Sequence, residues 1–221
     1  SDVWLFRSMT PPTVNAYFNP TMNEIVFPAG ILQPPFFDIT MDDAVNYGGI
    51  GAVIGHEITH GYDDEGRHFD ADGNLTEWWT ESDTKQFDDR AQKVVQEYNS
   101  FEALPGLHVN GKLTLGENIA DLGGVSIGYD ALQRALKKDP SKRKNIDGFT
   151  PEQRFFLSFA QLWRINIREA EQRRLITVDP HSPGPFRSVG PLVNFQEFYD
   201  AFGIKAGDPM WREQEKRAKI W

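Results

Sequence analysis

A predominantly helical α+β fold is predicted for this 221-residue chain from three observations. Long stretches at 42–62, 80–101, 113–136 and 150–174 carry helix-period apolar spacing or helix start signals. Strand-like runs are short and gather near the N-terminus, and turn-forming residues separate the stretches. No repeat, low-complexity tract or domain boundary divides the sequence, so 1–221 reads as one unit.

Taken in order, Ser1-Asp2-Val3-Trp4-Leu5 is not a signal peptide. Trp4, Leu5 and Phe6 lead directly into structured-looking sequence, so the chain is expected to be the C-terminal part of something longer. The runs 14–18 and 24–27 flank Asn19-Pro20-Thr21-Met22-Asn23 and predict a small β-hairpin. A Pro/Gly loop follows at 28–35. The helix predicted at 42–62 opens on Asp42-Asp43, acids that complement a helix N-terminus. Gly48, Gly49, Gly51 and Gly55 are poor helix residues, but on a buried helix they admit close neighbours. An irregular acidic loop covers 63–74. The amphipathic helix at 80–101 takes Thr80 or Ser82 as its cap. Another helix covers 113–136, and the helix at 150–174 opens on Thr150-Pro151-Glu152, a favoured order of cap and first turn. A Pro/Gly-rich loop at 182–191 and a short helix at 195–202 complete the pattern.

Composition narrows the function. Hydrophobic residues make up 39% and aromatics 13%, which is a folded globular balance. A net charge of -9 argues against nucleic acid as the main partner. The cluster Lys137, Lys138, Lys142, Arg143, Lys144 surrounds Pro140 and Asp139 and reads as an exposed loop. No apolar run is long enough for a transmembrane helix, so this segment predicts no membrane contact. With no cysteine, no disulfide framework supports the fold.

Chemistry concentrates in His56-Glu57-Ile58-Thr59-His60. Histidines four apart on a helix share a face, with Cβ atoms roughly 5–6 Å apart, so both imidazoles can take corners of one zinc. Glu57 can then reach a water at the metal. A catalytic zinc takes a third protein ligand and leaves its fourth position open. Gly116-Glu117-Asn118-Ile119-Ala120-Asp121 supplies one: Glu117 as ligand, with Asp121 one turn on to accept the outward N–H of His56. Alone, Glu117 would pass for an ordinary N-terminal helix acid; the two motifs together predict one Zn2+ per chain. Asp63 or Asp64 could orient His60 or simply cap the loop that leaves the helix. His68 and His108 lack a partner at helical spacing and read as surface or loop residues. Phe101, Phe156 and Trp163 read as core.

These strings, with Val14-Asn15-Ala16-Tyr17-Phe18-Asn19-Pro20, Phe27-Pro28-Ala29-Gly30-Ile31-Leu32-Gln33-Pro34-Pro35-Phe36 and Asp179-Pro180-His181-Ser182-Pro183 through Arg187, resemble the C-terminal catalytic portion of the neprilysin-family (M13) zinc metallopeptidases. They stand in family order over nearly the whole chain. The resemblance implies a thermolysin-like (gluzincin) zincin domain with a hairpin edge strand. It implies His56, His60 and Glu117 as zinc ligands, Glu57 as general base and Asp121 as the carboxylate behind His56. Asn15 and Ala16 would hydrogen-bond the substrate backbone, His181 would stabilise the tetrahedral intermediate and Arg187 would bind a substrate carbonyl. From the residues alone, Asn15 could equally close a turn, and Arg187 would pass for a surface residue.

Phe18 stands where many members carry Tyr, and Ala218 stands where many carry the Cys of a terminal Cys-x-x-Trp. With no cysteine, and Ala218 in that place, a bacterial-type member is implied; separately, an extracytoplasmic compartment is expected. Peptides, cut on the amino side of large apolar residues, are the implied substrates. Family members also carry a large N-terminal helical lobe around the substrate chamber, which this chain does not encode and which becomes an expected partner. An endopeptidase is therefore expected, against a zinc- and peptide-binding fragment that is inactive without that lobe. A purely structural zinc site would need neither an open position nor an adjacent base.

Overall fold

The computed structural model describes residues 9–221; the apolar run Trp4, Leu5, Phe6 lies outside them. The predicted hairpin is present. β1 (Tyr17–Asn19) pairs antiparallel with β2 (Glu24–Val26), with Phe18 opposite Ile25. Asn19 closes the turn by accepting hydrogen bonds from the backbone and hydroxyl of Thr21, and Asn23 takes the left-handed conformation at φ 46°.

The predicted 42–62 helix is broken. α1 (Asp43–Asn46), capped by Asp42, runs into a wide turn at Tyr47–Gly51, and α2 (Ala52–Thr59) follows, ending in a tight turn at His60–Tyr62. The cause is tertiary. Ile50 N donates to Phe36 O at 2.7 Å, and Gly49 sits at φ −86°, ψ −105°, outside helical geometry. A Cβ at Gly49 would meet Phe36 O at 2.3 Å, so the loop before α1 occupies the place of a side chain.

α3 (Glu81–Asn99) starts at Thr80, whose side chain accepts from Asp83 N at 3.1 Å. A second hairpin, β3 (Glu102–Leu104) and β4 (Leu107–His108), was not anticipated; it turns on Gly106 at φ 73°. α4 (Leu115–Lys138) is the longest helix described. α5 (Pro151–Gln161) opens on a full capping box between Thr150 and Gln153.

The predicted 150–174 helix also divides, into α5 and α6 (Glu169–Val178). No Pro or Gly interrupts residues 162–168. Instead Ile165 N turns back to Trp163 O at 2.8 Å, and Trp163 O packs where a Cβ on Gly184 would stand. The 182–191 loop holds α7 (Gly184–Val189), started by Pro183 and Pro185. α8 (Gln196–Phe202) ends on Gly203 in the left-handed conformation.

α4 lies between two apolar clusters. On one side Val125, Leu132 and Leu136 pack with Phe155, Phe156 and Phe198 of α5 and α8. On the other, Ile119 and Leu122 meet Phe87, Val94 and Tyr98 of α3. α2 crosses α4 with backbones nearly touching: an added Cβ on Gly55 would meet Gly124 Cα at 3.0 Å, and one on Gly124 would meet Ala52 O at 2.5 Å. Gly48, Gly49 and Gly55 thus serve close packing, as expected, whereas Gly51 meets only its own turn. No helix among the described residues is long and apolar enough to cross a membrane.

Candidate metal centre

The α2–α4 crossing brings both sequence motifs together. His56 and His60 stand one turn apart on α2, and Glu117 and Asp121 one turn apart on α4. His56 Nε2 and His60 Nε2 are 3.0 Å apart, and Glu117 Oε2 lies 3.2 Å from the first and 3.6 Å from the second. Each outward ring nitrogen is held by a carboxylate. His56 Nδ1 donates to Asp121 Oδ1 at 2.8 Å, and His60 Nδ1 donates to Asp63 Oδ2 at 2.7 Å. Both Nε2 lone pairs therefore face each other, an arrangement that is repulsive unless a cation or proton lies between them.

The donor set suits a metal. Ligands at about 2.0–2.1 Å from a tetrahedral zinc stand roughly 3.3 Å apart, the spacing of this trio. Glu117 Oε2 is buried with no hydrogen-bond partner, as an oxygen reserved for a cation would be. A group of His56, Glu57 and His60 also places ligand atoms within 4.8 Å of one another. Glu117 could serve as a third donor, because its Oε2 approaches both Nε2 atoms from the facing helix and leaves Glu57 free.

Electrostatics agree. Burial disfavours a charged His60, but the hydrogen bond to Asp63 and the nearby Glu117 carboxylate outweigh it and push the imidazole up to about 10. His56 is likewise raised, its burial overcome by Asp121 and Glu117. Burial works against ionising Glu117, yet the two histidines hold it far below the usual carboxylate range. The surrounding carboxylates thus favour positive charge at the imidazoles, which is what a cation there would supply. Glu57 behaves differently: burial raises its carboxyl, partly offset by the two histidines.

Asp63 fills both roles left open by the sequence. One oxygen orients His60, and the other accepts Glu65 N at 2.9 Å and Gly66 N at 2.7 Å, closing the loop after α2. Asp64 does not reach His60; it is pushed up to about 6 by burial and by Asp63.

The remaining predicted residues border the same cleft, of about 700 Å³. His181 Nε2 lies 3.2 Å from Glu117 Oε1. Its Nδ1 donates to Asp179 Oδ1 at 2.8 Å, a carboxylate partner that sequence reasoning overlooked despite its place in the quoted motif. Arg187 is half-buried and grips Asp121 with two hydrogen bonds, Nε to Oδ2 at 2.8 Å and a terminal nitrogen to Oδ1 at 2.7 Å. Its guanidinium lies 3.8 Å from the centre of the Trp163 ring. Trp163 is thus a cleft-wall residue rather than plain core, whereas Phe156 is buried and Phe101 stacks on Phe186. Asn15 and Ala16 line the cleft just before β1 rather than on it; the Asn15 side chain accepts Ala16 N at 2.9 Å.

Other predicted groups stay outside. His68 pairs with Glu77, and His108 Nδ1 donates to Asn99 O. The basic cluster is exposed, but only partly a loop: Lys137 and Lys138 form the last turn of α4, while Lys142 pairs with Asp43 and Arg143 with Glu152.

Comparison with known proteins is consistent throughout. The model of peptidase family M13 matches residues 15–218. Endothelin-converting enzyme 1 of Rattus norvegicus is 47% identical over 222 aligned positions, covering 100% of this chain and 28% of that protein. Neprilysin of Homo sapiens is 46% identical over 212 positions, covering 94% of this chain and 28% of its own length. Among solved structures, Mycobacterium tuberculosis zinc metalloprotease Zmp1 bound to an inhibitor superimposes with a TM-score of 0.94 at 50% identity, over 97% of this chain and 33% of that one. PepO from Lactobacillus rhamnosis superimposes with a TM-score of 0.87 at 35% identity, over 97% and 32%. The chain therefore spans about 28% of the length of the curated relatives it matches. A family model fitting nearly the whole sequence, and relatives close to half identical, say the same thing as the two-helix cage of histidines and carboxylates: the chain belongs to peptidase family M13.

Proposed function

We propose that this chain carries the chemistry of a zinc-dependent endopeptidase acting on oligopeptides. The observation that carries this reading is the trio His56 Nε2, His60 Nε2 and Glu117 Oε2 at 3.0–3.6 Å spacing, with the unengaged carboxylate of Glu57 beside it. Zinc held by these three residues would supply a Lewis acid that polarises the scissile carbonyl and makes a water acidic near neutral pH.

Glu57 takes the proton from the attacking water and returns it to the leaving amine. Its raised pKa suits both directions of transfer. His181, held by Asp179, donates to the oxyanion as the carbonyl becomes tetrahedral. Arg187 offers its remaining donors to a substrate carbonyl, while Asp121 fixes its position. Asn15 and Ala16 hold the peptide backbone along the opposite wall. Phe36, Val53, Phe159 and Leu162 make part of that cleft apolar, which favours a large hydrophobic side chain beside the cleaved bond, on its carboxyl side.

A second reading rests on length. Because the chain spans about 28% of its curated relatives, the rest of such a protein would supply the lobe that encloses the substrate, and 1–221 alone would bind zinc and peptide without turnover.

The experiment is cleavage of a fluorogenic peptide with a large apolar residue, with and without chelator, against Glu57→Gln. Chelator-sensitive turnover that drops about 10²–10⁴-fold in a zinc-loaded Glu57→Gln protein is expected. Turnover in that variant near the wild-type rate would overturn the base assignment. One bound zinc with no turnover would favour the second reading.

A further inference from the structure

We propose that Asn118 and Ser182 are positioning residues for His181, joining its loop to the helix that carries Glu117; this rests on the reading of His181 as the oxyanion donor. Asn118, next to Glu117 on α4, is fully buried, and Ser182, next to His181, is 4% exposed. Ser182 Oγ donates to Asn118 Oδ1 at 2.8 Å. Asn118 Nδ2 donates to Thr114 Oγ1 at 2.9 Å, and Thr114 Oγ1 donates to Asn110 O at 3.1 Å. The chain of donors fixes the amide orientation, so the Asn118 oxygen faces Ser182.

The arrangement matters because the His181 imidazole is otherwise held by its own loop. Both its backbone N–H and Nδ1 bond to Asp179 Oδ1, two residues away, so this pair moves as a unit. Among the described residues, two polar links join residues 179–183 to α4: His181 Nε2 to Glu117 Oε1, and Ser182 to Asn118. When His181 Nε2–H turns to a substrate oxygen, the Glu117 link is given up. The neutral Ser182–Asn118 bond is then what keeps His181 in register with Glu117. It is buried and built from uncharged groups, so a pH change near neutrality titrates neither partner.

The test measures Ser182→Ala in the zinc-loaded protein against two peptides with the same side chains. One carries a phosphonamidate, which mimics the tetrahedral adduct, and the other a thiol, which binds metal without an oxyanion. Calorimetry should show phosphonamidate affinity falling about 10-fold while thiol affinity and zinc content hold, and kcat should fall by a similar factor with KM little changed. In a His181→Ala background the same substitution should have no further effect on phosphonamidate binding. Ser182→Cys, which keeps the size and a weak donor, should lie between. Equal weakening of both ligands, or a phosphonamidate loss that persists without His181, would show Ser182 to be merely structural and overturn the proposal. If His181→Ala alone leaves phosphonamidate affinity intact, the oxyanion reading fails and this inference falls with it.

Discussion

Adding one methyl group at the helix crossing tests whether the metal cage depends on backbone contact between α2 and α4. In Gly124→Ala the new Cβ would stand 2.5 Å from Ala52 O, 3.1 Å from His56 N and 3.2 Å from His56 Cβ. The first contact is to backbone, so no side chain can rotate away. The helices must part by about 0.5 Å to reach even a compressed contact in a close-packed interior. His56 rides on the displaced segment, and its 2.8 Å hydrogen bond to Asp121 and 3.2 Å approach to Glu117 lengthen together. Overpacking of this kind costs about 1–3 kcal/mol. At roughly 2–4 °C per kcal/mol for a chain of this size, the melting temperature should drop by about 2–12 °C. Disturbing the carboxylate behind a ligand histidine weakens metal binding by about 10–100-fold. Thermal melts and competitive zinc titration on the same samples read both effects. Unchanged zinc affinity despite a lowered melting temperature would refute the claim that the crossing sets the site. An unchanged melting temperature would refute the tight crossing itself.

Further outcomes follow from the same geometry. Glu117→Ala should lose stoichiometric zinc by elemental analysis; full occupancy would put the third ligand elsewhere. Because His60 lies at about 10 in the metal-free cage, zinc must displace its proton. Apparent affinity should therefore rise roughly tenfold per pH unit between pH 6 and 8 for this proton alone, and a flat titration would contradict it. Away from the cage, Glu97 is pushed up to about 7 by burial, against the pull of Arg212 and Asn194. Its folded value lies above the unfolded one, so its stabilising contribution is complete below about pH 4.5 and is lost as pH rises through 7. That loss is roughly 3 kcal/mol at 1.36 kcal/mol per unit. Glu97→Gln should gain stability relative to wild type on going from pH 5 to pH 8, and parallel melting curves across that range would show that Glu97 does not titrate there.

The local half of the site was legible in the sequence because helical spacing is local. Residues four apart share a face in any helix, so His56 with His60 and Glu117 with Asp121 could be paired before either helix was placed. Which carboxylate serves His60 could not be read, since Asp63 and Asp64 differ only in how the exit loop folds back. The breaks at Gly49 and at residues 162–168 were hidden for the same reason. The first is drawn out by Phe36 O, and the second is held by packing of Trp163 against Gly184, both distant in sequence. Asp179, Asn118 and Ser182 lay within the quoted strings but gave no spacing signal, because their roles depend on a loop meeting a helix. Trp163 read as core by its apolar character, and only its stacking on Arg187 reveals the other face.

The wide turn between α1 and α2 has a consequence for angular phase. Each residue added to or removed from a helical path rotates everything beyond it by about 100°. The turn at Tyr47–Gly51 therefore works as a phase setting: it decides which compass direction the imidazoles of α2 point as they leave α1. Substitutions inside it alter packing, but deleting one residue would swing His56 and His60 together off the face opposite Glu117, leaving a helix with both histidines intact and nothing to bind.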